Sequence, residues 1–253
     1  MSIKNYCNSD IFVLQLKQAG DNMKKLIIIG YDGTIADTSP GILYCMNTTA
    51  NAMGYTPVHH DELYGVIGVS LEQGFMSLYG MKEDEIEYAM NNYSKLYSIK
   101  GEEMFLIYDG IEDSLRMLRN SGCKLAIVTQ KNEKFINNML GVYKTIGELF
   151  DEVCATNVDV EMTKSEMLLK VCKELDVAPA DSIFIGDSYV DALAAKEVGM
   201  DFAAALYGWG FRSREDAERY DPKICIGSAE ELYKKISLLD YLSFPKTCEQ
   251  KLR

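Results

Sequence analysis

Acidic, basic and hydroxyl side chains recur in this chain of 253 residues just after short apolar runs. Asp187 follows Ile183-Phe184-Ile185-Gly186, and Asp191 stands four residues further on. If a helix opens at Ser188, that spacing is one helical turn, and both carboxylates can face one point. Hard carboxylate oxygens so placed suit Mg²⁺. The competing reading makes Ser188 a helix cap and Asp191 its partner, with no metal. Lys164 lies in Thr163-Lys164-Ser165-Glu166, a capping-box pattern that puts an ammonium group in the first turn of a helix. A cation there opposes the helix dipole, which is unfavourable unless an anion lies nearby. Thr129 closes Leu125-Ala126-Ile127-Val128, where a lone hydroxyl reads equally well as a strand-end cap. Asp32 sits three residues past Ile29, the last residue of the apolar run Leu26 to Ile29, within Gly30-Tyr31-Asp32-Gly33-Thr34.

Strands and helices must bring these residues together. From Lys124 onward, apolar runs alternate with amphipathic ones at the spacing of a parallel α/β sheet. The pattern predicts strands at 124–129, 152–155, 182–186, 201–206 and 223–226, beside the one at 26–29. Helices are predicted at 111–120, 163–175, 212–219 and 229–238, with another from Ser188 to Gly199. Asn132 is predicted to cap a helix through Leu140, with Phe135, Ile136, Met139 and Leu140 inward and Gly141 closing it. Between Asp37 and about Leu106 the spacing is helical only. Ser39-Pro40 opens a helix to Ala52 or Met53, a second spans 70–78 and a third spans 83–98. In this layout every candidate falls at a strand C-terminus or the helix start after it, the edge where open α/β sheets bind ligands.

The run Leu26 to Thr34 resembles the first motif of the haloacid dehalogenase (HAD) superfamily of phosphohydrolases, ordered Asp, any residue, Asp, Gly, Thr. Thr129 resembles the second motif, Lys164 the third, and Gly186-Asp187-Ser188-Tyr189-Val190-Asp191 the fourth. The run Gly65-Val66-Ile67-Gly68 in the insert and Leu206-Tyr207-Gly208-Trp209-Gly210 look closest to phosphoglycolate phosphatases and related pyrophosphatases. Trp209 either lines the site mouth or packs on the sheet edge. Together the motifs span about residues 24 to 238. The resemblance implies an α/β, Rossmann-like parallel sheet core at 23–37 and 107–240. A small all-helical cap is expected at 38–106 and a tail at 241–253.

The resemblance also assigns roles. Thr129, Lys164 and Gly33 are expected to bind phosphate. The backbone carbonyl of Asp32 and the carboxylates of Asp187 and Asp191 are expected at the metal, with Asp32 also protonating the leaving group. The first Asp of the motif attacks phosphorus and ligates Mg²⁺, but here that position is Gly30. Glycine has no nucleophile, so the covalent intermediate and one metal ligand are lost together. Tyr31 alternates away from the site. Four readings follow. The first is a scaffold that binds a small phosphate ester with little or no hydrolysis and a weakened Mg²⁺ site. The second is an ordinary Mg²⁺-dependent phosphomonoester hydrolase whose residue 30 was mutated or misread from Asp. The third is a weak hydrolase in which Asp32 activates water directly. The fourth is a non-catalytic protein that binds a partner.

Composition narrows the classes further. A formal charge of −12 repels a phosphate backbone, so nucleic acid is not an expected partner. Seven scattered cysteines without a Cys-x-x-Cys pair read as free thiols of a reducing cytoplasm. The only histidines, His59 and His60, are adjacent, which argues against His-based metal sites and triads. The apolar patch within residues 1–22 is too short to span a bilayer, and no membrane association is expected. Met23-Lys24-Lys25 resembles a natural start, so residues 1–22 are expected to be a non-core extension. Neither the oligomeric state nor the substrate follows from these features.

Overall fold

The computed structural model describes residues 24–63, 70–157 and 162–242. The proposed extension at 1–22, the Gly65-Val66-Ile67-Gly68 run and nearly all of the tail lie outside them. The first strand, β1 (Leu26–Ile29), is fully buried along its length, as expected for a continuous apolar run covered on both faces. A short β2 (Ala36–Asp37) leads into helices α1 (Ser39–Ala52), α2 (His60–Leu63), α3 (Leu71–Tyr79) and α4 (Glu83–Ile99). The chain returns through β3 (Leu106–Ile107), which pairs antiparallel with β2, and α5 (Ile111–Asn120). Next come β4 (Lys124–Asn132), α6 (Glu133–Val142), α7 (Lys144–Gly147), β5 (Glu152–Thr156) and α8 (Lys164–Glu174). The remainder is β6 (Ser182–Gly186), α9 (Tyr189–Glu197), β7 (Asp201–Ala205), α10 (Arg214–Glu218), β8 (Ile224–Ile226) and α11 (Leu232–Leu242).

Six strands form one sheet in the order β5-β4-β1-β6-β7-β8, every neighbouring pair parallel. Successive residues of β1 point to opposite faces. Ile27 and Ile29 pack with residues of α5, α6 and α11, whereas Leu26 and Ile28 pack with α8, α9 and α10. Since β1 lies between β4 and β6, chain direction across the sheet reverses there, and the crevice above its C-terminal end is the natural ligand position. The helical insert between β2 and β3 has its own apolar cluster, built on Cys45, Met46, Phe75, Ala89, Tyr93 and Tyr97.

The structure departs from the sequence pattern in a few places. Strand β4 runs on to Asn132 instead of stopping at Thr129, with a register irregularity between Val128 and Asn132. Asn132 still caps α6 by accepting from the Lys134 amide, but Gly141 lies inside that helix, which continues to Val142. Phe135 packs against Tyr97 of the insert at 5.0 Å between ring centroids, a partner that helical spacing alone does not name. The β2–β3 ribbon and the short α2 are too brief for periodicity to reveal. Cys45, Cys123, Cys154, Cys172 and Cys225 are buried free thiols. No helix among the described residues is long and apolar enough to cross a membrane.

Candidate active site

Continuing the β1 register from Ile29 opposite Ile127 and Ile185 places Thr129 and Asp187 level with Tyr31, one strand to either side. Tyr31 itself is buried in the apolar cluster that also holds Ile29, Ile127 and Ile185. Gly30 donates its backbone N–H to the Ile185 carbonyl at 2.9 Å and does not have a positive φ. A Cβ there would lie 3.2 Å from Thr34 Oγ1 and 3.6 Å from the Ile185 carbonyl oxygen. Thr34 is fully buried, and its hydroxyl has no hydrogen-bond partner among the described residues. A small adjustment of that hydroxyl admits a side chain, so the backbone does not require glycine at position 30.

Asp32 Oδ1 accepts from Thr38 Oγ1 at 2.6 Å and from Lys131 Nζ at 2.8 Å. The Lys131 ammonium lies 5.1 Å from the centroid of the Tyr97 ring, a cation–π contact that ties β4 to α4. Only 7% of the Lys131 side chain is exposed. Burial alone lowers its pKa, but the Asp32 charge and Tyr97 outweigh burial and hold the pKa above the ordinary lysine range. Thr129 Oγ1 accepts the Lys131 backbone N–H at 3.1 Å within β4, and its hydroxyl proton is left to donate.

Gly33 follows Asp32 with φ +73°, and a Cβ on it would lie 2.2 Å from Asp187 Oδ2. Only glycine lets the Asp32 loop approach Asp187 this closely. Asp187 Oδ2 accepts from the backbone amides of Trp209 and Gly210, both at 3.0 Å. A Cβ on Gly208 would fall 2.3 Å from the Gly33 carbonyl oxygen, which explains the glycines around Trp209. Trp209 is 7% exposed and contributes its backbone amide to the site.

Asp191 Oδ1 accepts from Lys164 Nζ at 2.5 Å. Its Oδ2 accepts from Ser188 Oγ at 2.7 Å and Ser188 N at 3.1 Å. Ser188 and Asp191 therefore form a capping box, and Lys164 faces the anion that its place on α8 demanded. Two groups result. Asp32, Lys131, Thr129, Thr38 and Tyr97 form one; Asp187, Asp191, Lys164 and the 209–210 amides form the other, with Gly33 between them.

Burial above all, then the Asp191 charge, raises the Asp187 carboxyl from 3.8 to about 7, against the pull of the amides and Lys164. The folded chain thus keeps a proton that the unfolded chain gives up near 3.8. This stabilising contribution is full below that pH and is lost as pH rises through about 7. Asp187→Asn, which still accepts both amides, is expected to flatten this part of the stability curve. Urea unfolding across that range in chelator-containing buffer measures it; parallel curves for the two proteins would contradict it.

The resemblance of the motifs implies a bound Mg²⁺ ion. Mg²⁺ demands near-octahedral oxygen coordination. Gly30 offers no carboxylate, Asp32 and Asp191 are each paired with a lysine, and Asp187 Oδ2 is taken by two amides. No group of three or more His, Cys, Asp or Glu residues that could hold a metal ion occurs among the described residues. With Gly30 in the first position, the Asp32 backbone carbonyl and the Asp187 and Asp191 carboxylates would be left to hold such an ion, one carboxylate fewer than the resemblance implies.

Lys131, Thr38 and the Trp209 and Gly210 amides are the site groups that motif reading missed. Parity offered one signal: Lys131 is two residues past Thr129, on the same side of an extended chain. The amides have no residue signature at all.

Residues 27–205 match the haloacid dehalogenase-like hydrolase family, and the chain belongs to it. Among its relatives is the phosphoglycolate phosphatase of Psychrobacter arcticus, 27% identical over 87% of this chain and 96% of that protein. The pyrophosphatase PpaX of Bacillus cereus is 26% identical over 83% of this chain and 95% of its own length. A haloacid dehalogenase-like hydrolase from Streptococcus pneumoniae shares the fold with a TM-score of 0.76 and 26% identity, over 83% of this chain and 97% of that one.

Proposed function

We propose that this phosphoglycolate phosphatase-like chain binds a small phosphate ester and hydrolyses it slowly or not at all. The observation that carries the reading is the pairing of two buried lysines with aspartates around the end of β1, where position 30 is glycine. Lys131 and Lys164 supply positive charge, and Thr129 supplies a hydroxyl donor, within one strand edge. The helical insert reaches this edge through Tyr97 and is assigned the role of a cap over the ligand. Mg²⁺ is bound weakly, for want of the carboxylate that Gly30 lacks. The names of the relatives point to phosphoglycolate or pyrophosphate as first ligands to try.

Calorimetric titration with 2-phosphoglycolate, pyrophosphate and sugar phosphates, beside a phosphate-release assay, tests the reading. Saturable binding with negligible release is expected. Absence of any binding favours a partner-binding protein, and substantial release abolished by Asp32→Asn favours direct water activation. One observation favours the second reading, a hydrolase altered at residue 30: the backbone there is not left-handed, and a side chain asks only for a small shift of the Thr34 hydroxyl. The sequence of the native gene decides that point.

A further inference from the structure

We propose that Trp209 is a ligand-binding residue of this site, its indole N–H donating to an oxygen of the bound phosphate ester. The proposal rests on the phosphate reading of the site and adds a contact that no motif assigns. Among the described residues, Trp209 is the only buried apolar or aromatic one that belongs to none of the three apolar clusters. An indole kept for packing alone would join one of them, as its near neighbours do. Tyr207 packs against the cluster on one face of the sheet, and Phe211 lies within the cluster on the other. The Trp209 Nε1 atom is buried and has no hydrogen-bond partner among the described residues. A buried indole N–H ordinarily finds an acceptor, and one without an acceptor calls for an explanation.

The backbone around Trp209 fixes this residue at the site. Its own amide donates to Asp187 Oδ2 at 3.0 Å, and the Phe211 amide donates to the Asp187 carbonyl at 2.8 Å. The Tyr207 hydroxyl donates to the Thr34 carbonyl at 2.9 Å, which holds the same segment on the loop after β1. Gly208 and Gly210 bring the chain so close to Gly33, Asp187 and Ser188 that a Cβ on either would clash. Trp209 therefore stands beside Asp187 at the C-terminal end of β6, on the edge where open α/β sheets bind ligands. Asp187, Asp191 and Thr129 are covered to a similar degree, so a ligand that reaches them has no greater depth to cross to reach the indole. Nε1 can only donate, so its partner is an acceptor, as the oxygens of a phosphate ester are.

Trp209 is the only tryptophan of the chain, so the single indole N–H resonance of an isotope-labelled sample reports on it alone. Titrating the native protein with 2-phosphoglycolate or pyrophosphate is expected to shift that resonance downfield, with the midpoint that calorimetry gives for binding. Trp209→Phe keeps a flat ring and removes the donor. It is expected to bind the same ligands at least about tenfold more weakly, the worth of a hydrogen bond to a charged group. Calorimetric binding with the resonance unmoved overturns the proposal and leaves the phosphate reading standing. A folded Trp209→Phe that binds as tightly as the native chain does the same. Should Trp209→Phe not fold, the native resonance decides by itself. No calorimetric binding of either ligand overturns the phosphate reading, and the indole contact falls with it.

Discussion

Gly30→Asp is expected to raise the turnover of small phosphomonoesters by between about 10³- and 10⁶-fold, the range lost when a covalent nucleophile is deleted from an enzyme. Gly30 needs no left-handed backbone, and the new Cβ, 3.2 Å from the unpartnered Thr34 hydroxyl and 3.6 Å from the Ile185 carbonyl oxygen, requires that hydroxyl to shift by a few tenths of an ångström. The added carboxylate also supplies an oxygen donor beside Asp32 and Asp187, so activity is expected to become dependent on Mg²⁺. The measurement is phosphate release from 2-phosphoglycolate by native and variant proteins, with and without Mg²⁺. A folded variant as inactive as the native chain would show that the remaining groups no longer form a phosphoryl-transfer site.

Lys164→Met is expected to be the most destabilising single change in the site. It leaves Asp191, whose side chain is 5% exposed, charged and without its cation, retaining only the Ser188 donors. Removing one partner of a buried ion pair costs about 3–5 kcal/mol. For a chain of this size that lowers the melting temperature by roughly 6–20 °C. Asp191→Asn added to Lys164→Met is expected to recover a large part of the loss, because no uncompensated charge then remains. Thermal melts of the two variants check this. A change of less than about 1 kcal/mol in Lys164→Met would mean the pair is well solvated, as exposed pairs are.

The scaffold was legible because its signals are strong and local. Leu26-Ile27-Ile28-Ile29 and Ser182-Ile183-Phe184-Ile185-Gly186 are apolar runs of strand length, and both became buried central strands. The carboxylates at 187 and 191 and the lysine at 164 were readable because capping patterns fixed where their helices begin. Lys131 was not, since it lies on an irregular end of β4 where the apolar pattern has already stopped. Its partners, Asp32 and Tyr97, are 99 and 34 residues away in sequence. The Trp209 and Gly210 amides were hidden for another reason: every residue but proline carries an N–H, and only the path of the chain aims it. Phe135 shows the same limit for packing, because helical spacing identifies an apolar side chain but not which neighbour covers it.

Lys131 touches Asp32 on one side and the Tyr97 ring of the insert on the other. Occupancy of the crevice and the posture of α4 therefore share a single ammonium group. By reciprocity, whatever draws that group toward a guest must loosen its hold on the tyrosine, and whatever tilts the tyrosine away must alter how tightly a guest is held.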